Sequence, residues 1–158
     1  MSKEWDKIVE NIFYKIARSD LEMIRVDVAY AFIYKEDEKK ILMVNNKDGG
    51  WSLPGGAVER EETLEQAVIR EVKEETNLTI EAGEIIAVNE AMFKEKGHHA
   101  LFITFKAKVI EGEISIIDKD EISKIEWVDI QRANELMPYY PNGVDSLLQA
   151  SSPYTFQG

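Results

Sequence analysis

Apolar residues recur along this chain in more than one rhythm. Between Ser2 and Asp20, Trp5, Ile8, Ile12, Phe13 and Ile16 fall on one face of a helix, which predicts an amphipathic helix over about 2–20. Arg25 to Tyr34 is rich in β-branched and aromatic residues and reads as a strand. The charged loop KEDEKK, Lys35 to Lys40, leads into a second short strand, Ile41 to Asn45, and NKDGG has turn chemistry. Leu78 to Val88 is β-like. From Ala100 to Val109 the residues Leu101, Ile103, Phe105, Ala107 and Val109 alternate with their neighbours, the mark of a half-buried strand. A turn at Glu111-Gly112 predicts a further short strand, and Lys124 to Val128 another. Helices are expected near Gln131 to Met137 and Val144 to Ala150, separated by PYYPNG. The sum is a mixed, mostly antiparallel sheet with helices on its faces, an α/β or α+β sandwich.

One more helix carries the chemistry. Thr63 and Gln66 form a capping-box pair, so a helix starts there, and Leu64, Val68 and Val72 give it a core stripe. The adjacent row runs Leu64, Ala67, Glu71, Glu75, apolar at its start and acidic at its end. Glu74 joins the same flank. Like charges at these spacings oppose one another by a few tenths of a kcal/mol per pair. Anions at a helix C-terminus oppose the macrodipole by roughly 0.3–1 kcal/mol more. Lys73 and Arg70 offset only part of this. A solvated acidic face is the ordinary fate of such a cluster, but here it sits beside the core stripe. A hard divalent cation with oxygen ligands, Mg²⁺ or Mn²⁺, turns the repulsion into attraction. Pro54-Gly55-Gly56 precedes the helix and leaves room for a phosphate or metal near main-chain atoms. Asn77 follows it, where a left-handed residue is often needed.

Composition narrows the setting. The 158 residues suit one compact domain spanning 1–158. No cysteine is present, which excludes disulfides, thiolate zinc sites and cysteine nucleophiles and fits a reducing cytoplasm. Charged residues interrupt the first twenty-five positions, so no signal-peptide pattern is expected, and VAYAFIY is too short to span a bilayer. The formal net charge of −11 argues against nucleic acid or anionic membranes as partners. An anionic substrate would then need a bridging cation.

The spacing from Gly56 through Glu62 to Arg70-Glu71-Val72-Lys73-Glu74-Glu75-Thr76-Asn77-Leu78 resembles the Nudix box, G-x5-E-x7-R-E-U-x-E-E-x-G-U, U being a bulky aliphatic. Asn77 stands where the family has its last glycine; every other fixed position matches, and Leu53-Pro54-Gly55 resembles the usual lead-in. The box covers about a sixth of the chain. The resemblance implies an α/β/α sandwich with a loop-helix-loop motif, and a Mg²⁺- or Mn²⁺-dependent hydrolase of nucleoside diphosphates linked to another moiety. By position, Glu71, Glu74 and Glu75 would be metal ligands with the Gly55 carbonyl, and Arg70 would orient them by pairing with Glu62. Which glutamate acts as base varies in the family. Glu121, six residues before Trp127, resembles a further carboxylate of MutT-type members, with Asp118 and Asp120 as rivals.

Substrate selection is thinner. Trp51, Phe93, Tyr139 and Tyr140 are candidates to stack on a base. Asn142 lies in a segment resembling the base-reading one of MutT-type members. Arg25, Lys47 and Lys94 are candidates for phosphates or a carboxylate, whereas His98 and His99 read as ordinary. ADP-ribose members often carry a proline about fifteen residues past the box, and NEAMFKEK has none. The expectation is therefore a small-molecule (d)NTP-type substrate, with ADP-ribose, sugar nucleotides or dinucleoside polyphosphates as alternatives. A second class, a Nudix-like sensor that binds without hydrolysis, would be expected to lose box carboxylates. A homodimer through the N-terminal helix is a further expectation.

Overall fold

The computed structural model describes residues 6–10 and 23–158. Residues 6–10 are helical. The rest of the expected N-terminal helix, and with it the suggested dimer contact, lies outside the described residues.

The chain runs through β1 (Ile24–Lys35), β2 (Lys40–Asn46), β3 (Gly50–Ser52), β4 (Gly55–Ala57), α1 (Leu64–Thr76), β5 (Thr79–Phe93), β6 (His98–Glu111), β7 (Ile122–Asp129) and α2 (Ile130–Leu136). A 3₁₀ helix, Val144–Gln149, follows. The sheet is mixed. β1 and β6 run parallel, from Ile24 opposite His98 to Ile33 opposite Ala107, and the other pairings are antiparallel. The strand order is β3-β2-β1-β6-β5, with β4 also on β1 and β7 also on β2. β1 pairs with β2 only at Tyr34 and Lys35, while its earlier residues Val28 to Tyr30 pair with β4. The sheet therefore forks beside β1.

Each face carries its own core. One holds Ala67, Val68 and Val72 of α1 against Ala29, Ala31, Ile103 and Phe105. The other holds Phe32, Ile41 and Met43 against Ala133, Met137, Val144 and Leu147. Strand alternation places Tyr30, Phe32 and Tyr34 on this second side and Ala29, Ala31 and Ile33 on the first. Helical segments thus cover both faces, the sandwich the pattern predicts.

Three local expectations change. The segment after Gly112 is no strand: residues 112–118 are irregular. Its amides serve α1 instead, Ser115 N–H donating to the Thr76 carbonyl at 3.0 Å and Asp118 N–H to the Glu74 carbonyl at 3.2 Å. Those carbonyls end a helix and have no partner within it. The expected last α-helix is a 3₁₀ helix. β5 runs on to Phe93, past register shifts between Ala82 and Ala87 that break its sequence alternation.

Candidate active site

The start of α1 is fixed by both arms of the capping box: Gln66 N–H donates to Thr63 Oγ1 at 3.1 Å and Thr63 N–H to Gln66 Oε1 at 2.9 Å. Asn77 closes the other end with φ 67°, a left-handed conformation asparagine tolerates. Between these ends the row Ala67, Glu71, Glu75 turns progressively toward β1 and β4. Glu75 retains only 4% of its exposure. Its Oε2 accepts from Gly55 N–H at 3.1 Å. Burial, then the charges of Glu71, Glu121 and Asp118, push its carboxyl up to about 8, against the pull of the Gly55 bond. Burial also raises Glu71, despite its bond to Arg70.

Arg70 ties the rest together. Nε and Nη2 grip the Glu62 carboxylate at 2.6 and 2.9 Å, a bidentate pair. Nη1 donates to Glu71 at 2.7 Å and Glu74 at 3.2 Å, and Nη2 to the Ala57 carbonyl at 3.1 Å. Arg70 in turn holds Glu62 below the usual carboxylate range. Glu74 is the outermost of the set, its side chain 55% exposed.

The irregular segment brings a further carboxylate. Asp118 Oδ1 accepts from the amides of Asp120 and Glu121, both at 3.1 Å, shaping a tight turn. Lys47 anchors this turn: its backbone N–H donates to the Glu121 carbonyl at 2.8 Å and its ammonium to the Lys119 carbonyl. Glu121 is exposed, yet its charge reaches Glu71 and Glu75. Among the described residues no three acidic or histidine side chains are already gathered as a formed metal site. Glu71 and Glu74 are turned onto Arg70 instead.

Across the fork in the sheet lies a cavity of about 490 Å³. It is walled by Tyr30, Trp51, Phe93, Phe102, Tyr139 and Tyr140. Tyr30 stacks on Phe102 with centroids 5.7 Å apart, and Phe93 meets Phe102 edge-on at 6.5 Å. Trp51, Phe93, Tyr139 and Tyr140, the expected stacking residues, thus converge on one space. Arg25 lies outside the walls, paired with Asp27 at 3.0 Å. Asn142 sits exposed in a turn, also outside them. No box glutamate lines the cavity; Tyr30 makes the link. Burial raises its hydroxyl to about 12, and the Glu75 charge is the next cause. Tyr30 and Phe102 join these walls, although neither is among the stacking residues expected from sequence. The signal was the aromatic row Tyr30, Phe32, Tyr34 on one face of β1.

The sequence matches the NUDIX domain family over residues 24–148. The chain belongs to the Nudix family. Among curated relatives, the ADP-ribose pyrophosphatase of Methanocaldococcus jannaschii is 34% identical over 105 residues. That alignment covers 64% of this chain and 61% of the relative, so the chain spans about three fifths of that protein's length. A Nudix hydrolase structure from Nitrosomonas europaea superposes with a TM-score of 0.70 at 19% identity, covering 85% of this chain and 99% of that one. The structure of an ADP-ribose pyrophosphatase from Streptococcus suis gives 0.59 at 26% identity, covering 84% and 96%. Among the described residues no helix is long and apolar enough to cross a membrane.

Nudix enzymes generally work with divalent metal ions, and the donor chemistry of this box fits one. Glu75 is a carboxylate out of water whose one hydrogen-bond partner among the described residues is a neutral backbone N–H. A buried anion of this kind needs a cation or a proton. The glycine lead-in has a steric reason as well. A Cβ on Gly55 would lie 2.1 Å from the Ala29 carbonyl oxygen, and one on Gly56 2.5 Å from the Glu71 carboxyl carbon. Gly56 has no positive φ, so alanine there brings no backbone strain but must displace Glu71. Gly56→Ala is expected to keep the fold, with a Tm drop of a few degrees, and to lower kcat by about 10- to 100-fold through misplacement of that carboxylate. Steady-state kinetics alongside thermal melting checks this; unchanged kcat would detach Glu71 from the reaction.

Proposed function

We propose that this protein is a divalent-metal-dependent pyrophosphohydrolase acting on a nucleoside diphosphate linked to another moiety. The observation that carries the reading is the buried Glu75 beside Glu71, next to an aromatic cavity that Tyr30 joins to it. In this reading Glu71, Glu74, Glu75 and the Gly55 main chain hold Mg²⁺ or Mn²⁺, and Glu121 approaches from the neighbouring turn. A cation there supplies charge neutralisation on the diphosphate and lowers the pKa of a water. The chain's own part is positioning. Arg70, gripped by Glu62, fixes the rotamers of Glu71 and Glu74. Gly55 N–H orients Glu75. The aromatic walls hold the nucleoside so that its phosphates extend past Tyr30 toward the carboxylates.

The curated relative and the S. suis structure named above bear the description ADP-ribose pyrophosphatase. We therefore take ADP-ribose as the first substrate to test, ahead of the (d)NTPs that the sequence alone favours. The test incubates the protein with Mg²⁺ and then Mn²⁺ against ADP-ribose, (d)NTPs, sugar nucleotides and dinucleoside polyphosphates. Products are resolved by chromatography. One substrate cleaved at its diphosphate far faster than the rest is the expected result. Metal-dependent binding with no cleavage across the panel would turn the reading to a nucleotide sensor.

A further inference from the structure

The cavity holds polar groups that the hydrolysis reading does not use. Asn89, on the late part of β5, lines it. Its Oδ1 is fully buried and has no hydrogen-bond partner. Thr104 Oγ1 is likewise fully buried, with the Tyr140 hydroxyl as a polar neighbour. The two lie on one face of the sheet. Asn89 stands opposite Phe102, and Thr104 opposite Tyr30, so strand alternation places both on the aromatic side. A buried polar atom without a partner is a recurrent cost to a fold and calls for an explanation. Asn89 sits among the rings that would enclose a base.

We propose that Asn89 is the base-reading residue of this cavity and selects an adenine nucleotide. The proposal rests on reading the cavity as the nucleotide site and adds the base to it. An unpaired amide oxygen needs a donor, and the 6-amino group of adenine supplies one next to the N7 acceptor, which the Asn89 amide nitrogen can meet. Turning the carboxamide about its soft terminal torsion presents both atoms to the same edge. The enclosing rings offer faces for a two-ring base.

The test is equilibrium binding of three monophosphates without metal, followed through the fluorescence change of Trp51 in the cavity wall. These are AMP, CMP and purine riboside monophosphate, which lacks only the amino donor. Wild type is expected to prefer AMP over purine riboside monophosphate by about 10- to 100-fold. Asn89→Leu and Asn89→Ala should bring the two within about twofold, by weakening AMP. Asn89→Leu should melt no lower than wild type, because it removes an unpaired buried polar group. Equal wild-type affinity for AMP and either competitor would overturn the proposal, as would a preference that survives both variants. Failure here stays distinct from failure of the hydrolase reading. Adenine preference with a silent substrate panel removes the activity and keeps the base site; turnover without adenine preference does the reverse.

Discussion

Glu75→Gln is expected to lower kcat by roughly three orders of magnitude while the protein stays folded. Glutamine keeps the volume and can still accept from Gly55 N–H through its side-chain carbonyl, so the packing between α1 and β4 survives. What disappears is a negative charge held out of water at the end of α1. A cation bound among Glu71, Glu74 and Glu75 would lose its least solvated ligand. Glu74→Gln makes the comparison. Glu74 is mostly exposed and shares Arg70 with Glu71, so its loss should cost closer to tenfold. The measurement is kcat at saturating Mg²⁺ for both variants, with circular dichroism to verify the fold. A wild-type rate in Glu75→Gln would remove it from the reaction, and equal losses in both variants would mean that burial does not grade the ligands.

Much of this site was legible because the box is local. Thr63, Gln66 and Asn77 act within a helical turn or two, so spacing alone predicts the caps. The same holds for Glu71, Glu74 and Glu75, whose common flank follows from the helical period. What escaped depends on long-range pairing. The segment after Gly112 has β-like residues, yet the exposed end of α1 competes for its amides and wins. The β-like run read from sequence stops at Val88, one residue short of Asn89, because the shifts in β5 between Ala82 and Ala87 break the alternation that would carry it on. The cavity needs β1, β3, β5, β6 and the turn carrying Tyr139 and Tyr140 to meet. Each aromatic taken alone is indistinguishable from core. Only the parallel register of β1 with β6 places Tyr30 against Phe102.

The metal-free protein is expected to lose stability as pH rises from about 5 to about 8, and added Mg²⁺ should restore more of it at the upper end. Glu75 has an ordinary value of 4.5 and is pushed up to about 8 in the fold. The folded chain therefore binds more protons than the unfolded one across that window, and the sign is negative: stability falls as pH rises. The contribution is fully present below 4.5 and is lost through about pH 8. Glu71 is raised as well and acts in the same direction. Glu62 is lowered, so its contribution is present above its ordinary value and fades only in acid, outside the window. At 1.36 kcal/mol per unit the Glu75 effect is on the order of a few kcal/mol. A divalent cation competes with the proton for the same oxygens, so its stabilisation grows with pH. Melting in chelator and in millimolar Mg²⁺, at about pH 6 and about pH 8, reads both effects. The Mg²⁺ shift should be several degrees larger at the higher pH. In Glu75→Gln both the fall and the difference should shrink, which separates this group from the general repulsion of a chain with net charge −11. A Tm that rises with pH in chelator, or a Mg²⁺ shift equal at both values, would mean that Glu75 is already charged and balanced in the fold.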